Sequence, residues 1–255
     1  MVSVMPGAEA WSAQGGPLGA LVLHGFTGNP ISLRPLAEDL ADAGLAVELP
    51  RLPGHGTRWQ EMNRTTWHDW AREAGAGLEL LRARTQRRIV VGLSVGGLLA
   101  LHMAATRPDA VDGVVVINPA MELHPHPLLR FVPVLKWVLP AYPDPGGPDD
   151  IARPDISEHA YPLIPVRALA SMIDLQRRLD LESVTAPLLV LTSRTDHEVS
   201  VEGSATILRR VASVDREQVW LENSQHVATL DHDAPEVSKR TIEFARRVAP
   251  AVPDA

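Results

Sequence analysis

The feature that most constrains the fold is a serine set between glycines, with an apolar run before it and a helix-forming run after it. The run from Ile89 to Leu93 predicts a strand buried on both faces, and residues 98–106 predict a helix. Between them, residues 92–96 match G-x-S-x-G, which is typical of a tight turn that lifts a serine hydroxyl above a sheet edge. The two glycines are expected to make room for Ser94. An ordinary glycine-rich turn would show the same pattern. Whether Ser94 is a nucleophile therefore depends on whether the sequence also supplies a base and an acid beside it.

Strands and helices alternate along most of the chain, which predicts an α/β protein with a mostly parallel, doubly wound sheet. The predicted strands are 19–23, 45–49, 89–93, 111–117, 188–192 and 218–221, with an edge strand at 8–11. The predicted helices are 33–40 with Ser32 as its N-cap, 67–84, 98–106, 166–181, 202–211 and 234–248. Parallel strands need crossover connections, so the helices are expected to cover both faces of the sheet.

A proline-rich segment interrupts this alternation, because residues 119–165 hold 11 of the 22 prolines. We expect an insertion that lies over the carboxyl ends of the strands, where ligands of such sheets bind. The predicted organisation is a core formed by residues 1–118 and 187–255, and a cap or lid insertion with its connecting helix at 119–186.

Inside this insertion, residues 128–139 predict an apolar helix. It can pack on the body as the core of the cap, or form an apolar wall for an acyl chain, or do both with different faces. Arg130 and Lys136 are expected to extend to the outer face. That face could also make transient contact with lipid surfaces.

A serine hydroxyl needs a base beside it, and the base needs a carboxylate to orient it. His226 follows the last predicted strand, and Asp196 follows the strand before that one. Ser94, Asp196 and His226 therefore come after three separate strands, whose carboxyl ends share one edge of a parallel sheet. Their order along the chain is that of α/β-hydrolases. The sequence predicts that these three residues form a catalytic triad.

Other residues compete for the acid and base positions. Asp196 could instead cap the following helix, in which case Glu198 or Asp215 would orient the base. His232 lies in an acidic run typical of a solvated turn, and His197 is expected to point away from the site.

The remaining histidines favour structural roles. His102 is too far along its helix to reach Ser94, and the turn around His55 is expected to be structural. His124 and His126 could hint at a metal, but a third ligand and cysteines are lacking, so we expect neither metal nor cofactor.

The loop after the first buried strand is the expected second source of oxyanion donors. Gly25 lets the backbone turn so that the amide of Phe26 can face Ser94, and the amide of Val95 lies at a helix N-terminus. The alternative is that the Phe26 ring is plain core and its amide points elsewhere.

Charge and composition exclude several classes of function. The 255-residue chain has a net charge of −7 and no basic run, which argues against a nucleic-acid partner. It has no cysteine, which leaves no disulfide, thiolate metal site or cysteine nucleophile. No secretory signal and no apolar run of spanning length is visible, so a cytoplasmic protein is the expectation.

Longer blocks of sequence resemble the α/β-hydrolase superfamily and, within it, the bacterial monoacylglycerol lipases and small carboxylesterases. The blocks are residues 23–28, 49–57, 64–70, the serine turn and 223–231. The resemblance implies hydrolysis of monoacylglycerols or short-to-medium-chain esters through an acyl-enzyme, without a cofactor and under a small cap. Val95 departs from the methionine or leucine that is frequent after the serine in these relatives.

The resemblance also assigns roles to residues. It places the triad on Ser94, Asp196 and His226, the oxyanion amides on Phe26 and Val95, and contact with the glycerol end of the substrate on Glu158. The expected partner is a small ester. A thioesterase, a lactonase, a C–C hydrolase or a non-catalytic receptor for a small ligand would share these residues, and the oligomeric state is left open.

Overall fold

A twisted sheet of seven strands organises the computed structural model, which describes residues 2–125, 129–144, 147 and 149–248. The strands of the described residues are β1 (Trp11–Ala13), β2 (Leu18–Leu23), β3 (Ala46–Leu49), β4 (Arg87–Leu93), β5 (Gly113–Ile117), β6 (Ala141–Pro143), β7 (Leu163–Pro165), β8 (Leu188–Ser193) and β9 (Arg216–Leu221). Strands β6 and β7 form a separate two-stranded sheet. The order of the others in the main sheet is β1-β3-β2-β4-β5-β8-β9. Strand β1 is antiparallel to its neighbour and the other six are parallel, which confirms the predicted sheet.

Both faces of the sheet are buried, because alternate side chains of each central strand enter different cores. In β4, Val90 packs in one core and Ile89 and Val91 pack in the other. The helices are α1 (Arg34–Asp42), α2 (Trp59–Met62), α3 (Trp67–Arg82), α4 (Val95–Thr106), α5 (Val132–Leu135), α6 (Val166–Arg178), α7 (Val201–Arg210) and α8 (Ala234–Val248). The first core includes side chains of α3, α4 and α6, and the second those of α1 and α8. A run of apolar residues in β4 therefore satisfies two cores at once.

Two local predictions at the N-terminal end are wrong. The edge strand begins at Trp11, because pairing with β3 places residues 11–13 opposite 47–49. Ser32 is not a helix N-cap: the side chain of Asn29 accepts from the amide of Ile31 and caps a 3-10 turn at Pro30–Leu33. The hydroxyl of Ser32 instead donates to the carbonyl of Asn29.

The insertion between β5 and β8 contains less helix than its apolar residues predict. A helix over 128–139 is wrong: the described part has a 3-10 turn at Leu129–Phe131, the four-residue helix α5 and a turn, while residue 128 lies outside the described residues. Much of this stretch faces water, so little tertiary packing supports a longer helix. Strands β6 and β7 pair antiparallel in the same insertion, and their three-residue lengths gave no alternation to detect.

A helix that crosses a bilayer has to be long and apolar. Within the described ranges, none of the helices is both long enough and apolar enough to cross a bilayer.

Candidate active site

The serine turn has the strained backbone that its sequence predicts. Ser94 lies between β4 and α4 with φ 56° and ψ −117°, a region that a side chain with a Cβ rarely adopts. Such a conformation costs about 1–3 kcal/mol and persists only where its surroundings enforce it. The amide of Ser94 donates to the carbonyl of Ile117 at 2.9 Å, and the amide of Ala120 donates to the Ser94 carbonyl at 3.2 Å. Strand β5 and the residues after it therefore hold the turn in place.

The glycines beside Ser94 allow backbone segments to approach closely. A Cβ at Gly92 would lie 2.1 Å from the carbonyl oxygen of Gly96, and one at Gly96 would lie 2.0 Å from that of Leu23. The room they make is thus between α4 and the strands β4 and β2, rather than around the serine side chain itself.

Asp196 and His226, the predicted acid and base, meet beyond the carboxyl ends of β8 and β9. Nδ1 of His226 donates to Oδ2 of Asp196 at 2.7 Å. Oδ1 of Asp196 accepts from the amides of Glu198 and Val199 at 2.9 and 2.8 Å, so this carboxylate is fully engaged. Helix α7 is capped by the side chain of Ser200, which removes the alternative that Asp196 serves as its cap.

Asp215, one of the two alternative acids, directly precedes β9 and so lies at the opposite end of the sheet. It pairs with Arg247 at 2.5 Å and cannot orient a base at the site. Glu198, by contrast, lies in the site and faces the same cavity as His226.

Asn118 supports the loop at residues 222–233, which carries His226 and is called the base loop. This residue was not identified from the sequence. It follows β5 with φ 43° and is almost fully buried. Its Nδ2 donates to the carbonyl of His226 at 2.7 Å and to the hydroxyl of Ser193 at 2.9 Å, and its Oδ1 accepts from the Ser193 amide at 2.7 Å. One side chain thereby joins the ends of β5 and β8 to the loop of the base. A polar residue directly after a buried strand was the signal that could have found it.

The electrostatics of the site come from buried carboxyl groups around one imidazole. Burial opposes a charged ring in His226, but the charge and hydrogen bond of Asp196, together with Glu198 and Glu158, outweigh it and raise its pKa. Burial likewise would raise the pKa of Asp196, yet the charge and hydrogen bond of His226 keep it below its ordinary value. The pair therefore favours an ionised carboxylate beside a basic imidazole.

Two further carboxyl groups hold their protons more tightly than exposed ones. Burial raises the pKa of Glu158 to about 8, against the opposing charge of His226. Burial also raises the pKa of Glu198. A carboxyl group that is largely protonated at neutral pH can donate a hydrogen bond as well as accept one.

The loop expected to supply an oxyanion donor passes beside the serine. A Cβ at Gly25 would lie 3.2 Å from Cβ and 3.8 Å from Oγ of Ser94, so the backbone of this loop is in contact with the turn. His24 anchors the loop from inside the core: its Nδ1 donates to the Gly25 carbonyl and its Nε2 accepts from the amide of Leu52. Burial holds the pKa of His24 well below its ordinary value, so this ring is neutral. The ring of Phe26 packs edge-on against that of Trp70.

A cavity of about 240 Å³ joins these groups. Ser94, Phe26, Glu158 and His226 all line it. Its remaining wall is partly apolar, with Ala120, Leu123, Leu129, Tyr142, Ile164, Leu169, Met172, Val199 and Val227. A cavity with an apolar wall and polar groups at one end suits an amphipathic ligand.

Three other histidines have partners that differ from the Asp196 carboxylate bound by His226. His197 bonds through Nδ1 to Asp150 at 2.7 Å, and Nε2 of His124 donates to the carbonyl of Asp196 at 3.0 Å. His102 packs edge-on against Trp67. The suggested partner of His124 at residue 126 lies outside the described residues. Across the described residues, no three His, Cys, Asp or Glu side chains gather as a metal site would need.

Two predicted turns differ in their burial. His55 is 1% exposed and its pKa is lowered by burial to about 4, in agreement with a structural turn. The acidic run at 231–233 is not simply solvated, because Asp231 is 1% exposed and accepts four backbone amides. His232 itself is exposed.

Known proteins are similar to this chain in both sequence and fold. The family model described as "Serine aminopeptidase, S33" matches residues 19–233. A thermostable monoacylglycerol lipase of Bacillus sp. (strain H-257) is 42% identical over 243 residues, which cover 94% of this chain and 95% of the relative. A carboxylesterase of Bacillus subtilis (strain 168) is 29% identical over 94% of this chain and 97% of its own length.

Solved structures agree. A structure reported with LipS and LipT, two metagenome-derived lipolytic enzymes, superposes with a TM-score of 0.91 at 37% identity, over 96% of this chain and 100% of that chain. The monoacylglycerol lipase of Paleococcus ferrophilus superposes with a TM-score of 0.78 at 23% identity, over 94% and 100% of the two chains, and shows the common fold. The expected α/β-hydrolase fold is confirmed.

Proposed function

The chain belongs to the serine aminopeptidase, S33, family of α/β-hydrolases, and from that premise we propose that it is a serine esterase whose substrates are monoacylglycerols or short-to-medium-chain acyl esters. Two of the relatives described above are named as a monoacylglycerol lipase and a carboxylesterase, which supports an ester substrate. The observation that carries the proposal is the 2.7 Å bond between His226 and Asp196, together with the cavity that His226 lines with Ser94, a serine held at φ 56°.

The first half of the reaction acylates the serine. His226 accepts the proton of the Ser94 hydroxyl through Nε2 as the oxygen attacks the ester carbonyl, and Asp196 stabilises the imidazolium that forms. The amides of Phe26 and Val95 donate to the oxyanion of the tetrahedral intermediate. Loss of one such donor typically costs about 3 kcal/mol of transition-state stabilisation. The support for Phe26 is the contact of its loop with Ser94, and for Val95 its place at the start of α4.

Collapse of the tetrahedral intermediate completes acylation: the bond from the acyl carbon to the alcohol oxygen breaks, and His226 gives its proton to the leaving alcohol. In the second half, His226 accepts a proton from water as the water oxygen attacks the acyl-enzyme, with the same oxyanion donors. The bond from Ser94 to the acyl carbon breaks, which regenerates the hydroxyl and yields the free acid. These reaction steps require no change of oxidation state and no group besides the substrate, water and the named residues.

Glu158 contacts the alcohol portion of the substrate in this proposal. It lies in the cavity with Ser94, and a Cβ at Gly28 would be 2.7 Å from its Oε2, so the loop beside the serine leaves space for this carboxyl group. With a pKa of about 8, Glu158 offers both a donor and an acceptor to a hydroxyl-rich alcohol such as glycerol. The apolar wall receives the acyl chain.

Residues 119–186 act as the cap. Their exposed face carries Phe131, Val134, Trp137 and Val138, which are 46%, 67%, 72% and 76% exposed. Arg130 and Lys136 stack on the rings of Phe131 and Trp137. Apolar rings beside cations suit transient contact with the surface of an anionic lipid aggregate. A cytoplasmic location stays a prediction from the sequence.

A substrate panel tests the proposal. Purified protein is assayed with 1-monoacylglycerols of several chain lengths, p-nitrophenyl esters, acyl-thioesters and lactones. We expect turnover of the oxygen esters, with kcat/KM highest for monoacylglycerols or short-to-medium acyl chains. Preference for thioesters or lactones would assign the same triad to another reaction.

The matched variant is Ser94→Ala, which removes the hydroxyl and leaves the turn's backbone unchanged. It should lower kcat by at least about 10⁴-fold on every ester while the melting temperature stays near that of the wild type. A non-catalytic receptor would bind a ligand tightly and show negligible turnover even before the substitution.

A further inference from the structure

Two consecutive acidic residues of the cap contact opposite ends of the active site. We propose that Asp149 and Asp150 are positioning residues that fix the alcohol-binding Glu158 and the base His226 relative to each other. This inference rests on the esterase function proposed above. Neither aspartate touches the reacting atoms in this account, and each acts through the groups that it holds.

Asp150 holds the loops of both the acid and the base. Its Oδ2 accepts from the amide of His226 at 3.2 Å and from the amide of His197 at 2.9 Å. Its Oδ1 bonds to Nδ1 of His197 at 2.7 Å, and its carbonyl accepts from the amide of Val227 at 3.1 Å. Because His197 directly follows Asp196, one carboxylate fixes the spacing of the two loops whose side chains form the acid–base pair.

Asp149 holds the residue that would bind the alcohol. Its Oδ1 accepts from the amide of Glu158 at 3.0 Å, and its Oδ2 accepts from the hydroxyl of Ser157 at 2.5 Å. The hydroxyl of Ser157 in turn accepts from the amide of His159 at 3.0 Å. On the other side, Asn29 donates from Nδ2 to the Glu158 carbonyl at 2.8 Å. The backbone of Glu158 is therefore fixed before any substrate arrives.

The segment that carries both aspartates is itself tied to the base loop. Oδ2 of Asp231 accepts from the amides of Ala152 and Gln225, both at 2.8 Å. Its Oδ1 accepts from the amides of Arg153 and His232, at 3.2 and 2.8 Å. Asp231 thus binds the cap segment and the base loop together from within the core. The geometry around Asp150 belongs to a built junction between cap and body, where misplacement of a base by about 1 Å can cost 100-fold in rate.

The experiment compares Asp150→Asn, Asp149→Asn and the control Asp155→Asn. Asp155 lies in the same segment, but its side chain is 72% exposed and pairs only with Arg153 at 3.7 Å in the described structure. Thermal unfolding checks that each variant folds. If Asp150→Asn does not fold, Asp150→Glu, which keeps the charge and lengthens the side chain, takes its place.

Three readouts separate positioning from stability. The first is the rate at which an alkyl fluorophosphonate labels Ser94. The second is kcat and KM for a 1-monoacylglycerol and for a p-nitrophenyl ester. The third is the low-field proton signal of Nδ1 of His226, assigned by its loss in Asp196→Asn.

For Asp150→Asn we expect labelling and kcat on both esters to fall about tenfold or more, and the low-field signal to weaken. For Asp149→Asn we expect KM for the monoacylglycerol to rise several-fold more than KM for the p-nitrophenyl ester, which has no glycerol. Asp155→Asn should match the wild type in all three.

The role of Asp150 would be overturned if folded Asp150→Asn kept the labelling rate, the kcat and the low-field signal of the wild type. An equal rise of both KM values in Asp149→Asn would overturn that of Asp149. A wild-type protein that is neither labelled nor active would instead refute the esterase function, and the proton signal would still decide whether Asp150 positions His226.

Discussion

Replacement of Asn118 offers a quantitative check on how the base loop is held. Asn118→Gly removes three short hydrogen bonds: from the amide of Ser193, to the hydroxyl of Ser193 and to the carbonyl of His226. At about 1 kcal/mol net for each bond, the free energy of unfolding should fall by about 3 kcal/mol. For a chain of this size that corresponds to a melting temperature lower by about 6–12 °C.

Asn118→Ala separates the hydrogen bonds from the backbone. The residue has φ 43°, where a Cβ costs about 1–2 kcal/mol and glycine has no such penalty. The alanine variant should therefore be less stable than the glycine variant by about 1 kcal/mol, although alanine is usually the more stabilising residue. This inverted order is specific to a left-handed conformation.

Urea unfolding followed by tryptophan fluorescence measures these differences, and kcat on a p-nitrophenyl ester is measured at a temperature where both variants are folded. Because the His226 carbonyl loses its donor, kcat should also fall about tenfold. A glycine variant as stable and as active as the wild type would refute the reasoning.

Two further predictions concern charge and surface. Since His226 must be neutral to accept a proton and Glu198 helps to raise its pKa, Glu198→Gln should move the acid limb of the kcat/KM profile to lower pH. A limb that stays in place, or moves to higher pH, in a titration of p-nitrophenyl ester hydrolysis would contradict this sign. Trp137→Ser, which removes the 72% exposed ring, should reduce co-sedimentation with anionic phospholipid vesicles several-fold and leave hydrolysis of a soluble ester near the wild-type rate. Equal sedimentation of the two proteins would argue against contact with lipid through this face.

The sheet and the pairing of Asp196 with His226 could be predicted from the sequence, because both depend on regular patterns. Strands buried on both faces are continuous apolar runs, and the carboxyl ends of parallel strands gather at one edge. The pairing of Asp196 with His226 follows from that rule and is present at 2.7 Å. Strand β4 was found for the same reason.

What sequence did not reveal depends on long-range contacts of polar side chains. Asn118 follows a buried strand and Asp231 lies in an acidic run, but neither position reveals that the side chain is 1% exposed and bonds to segments distant in the chain. The predicted helix over 128–139 was wrong because many of the apolar residues in this stretch face water, so their spacing does not indicate a buried helix face. The contacts of Asp150 leave little mark in the residue types, because apart from the ring of His197 the partners of its side chain are backbone amides.

The most direct measurement of the central claim is to trap the acyl-enzyme. The wild-type protein is mixed with a p-nitrophenyl ester, quenched in acid within milliseconds, digested and examined by mass spectrometry. The acyl group is predicted on the peptide that contains Ser94, and it should be absent in Ser94→Ala and much reduced in His226→Gln. An acyl group on another residue, or full ester turnover by Ser94→Ala, would contradict the mechanism.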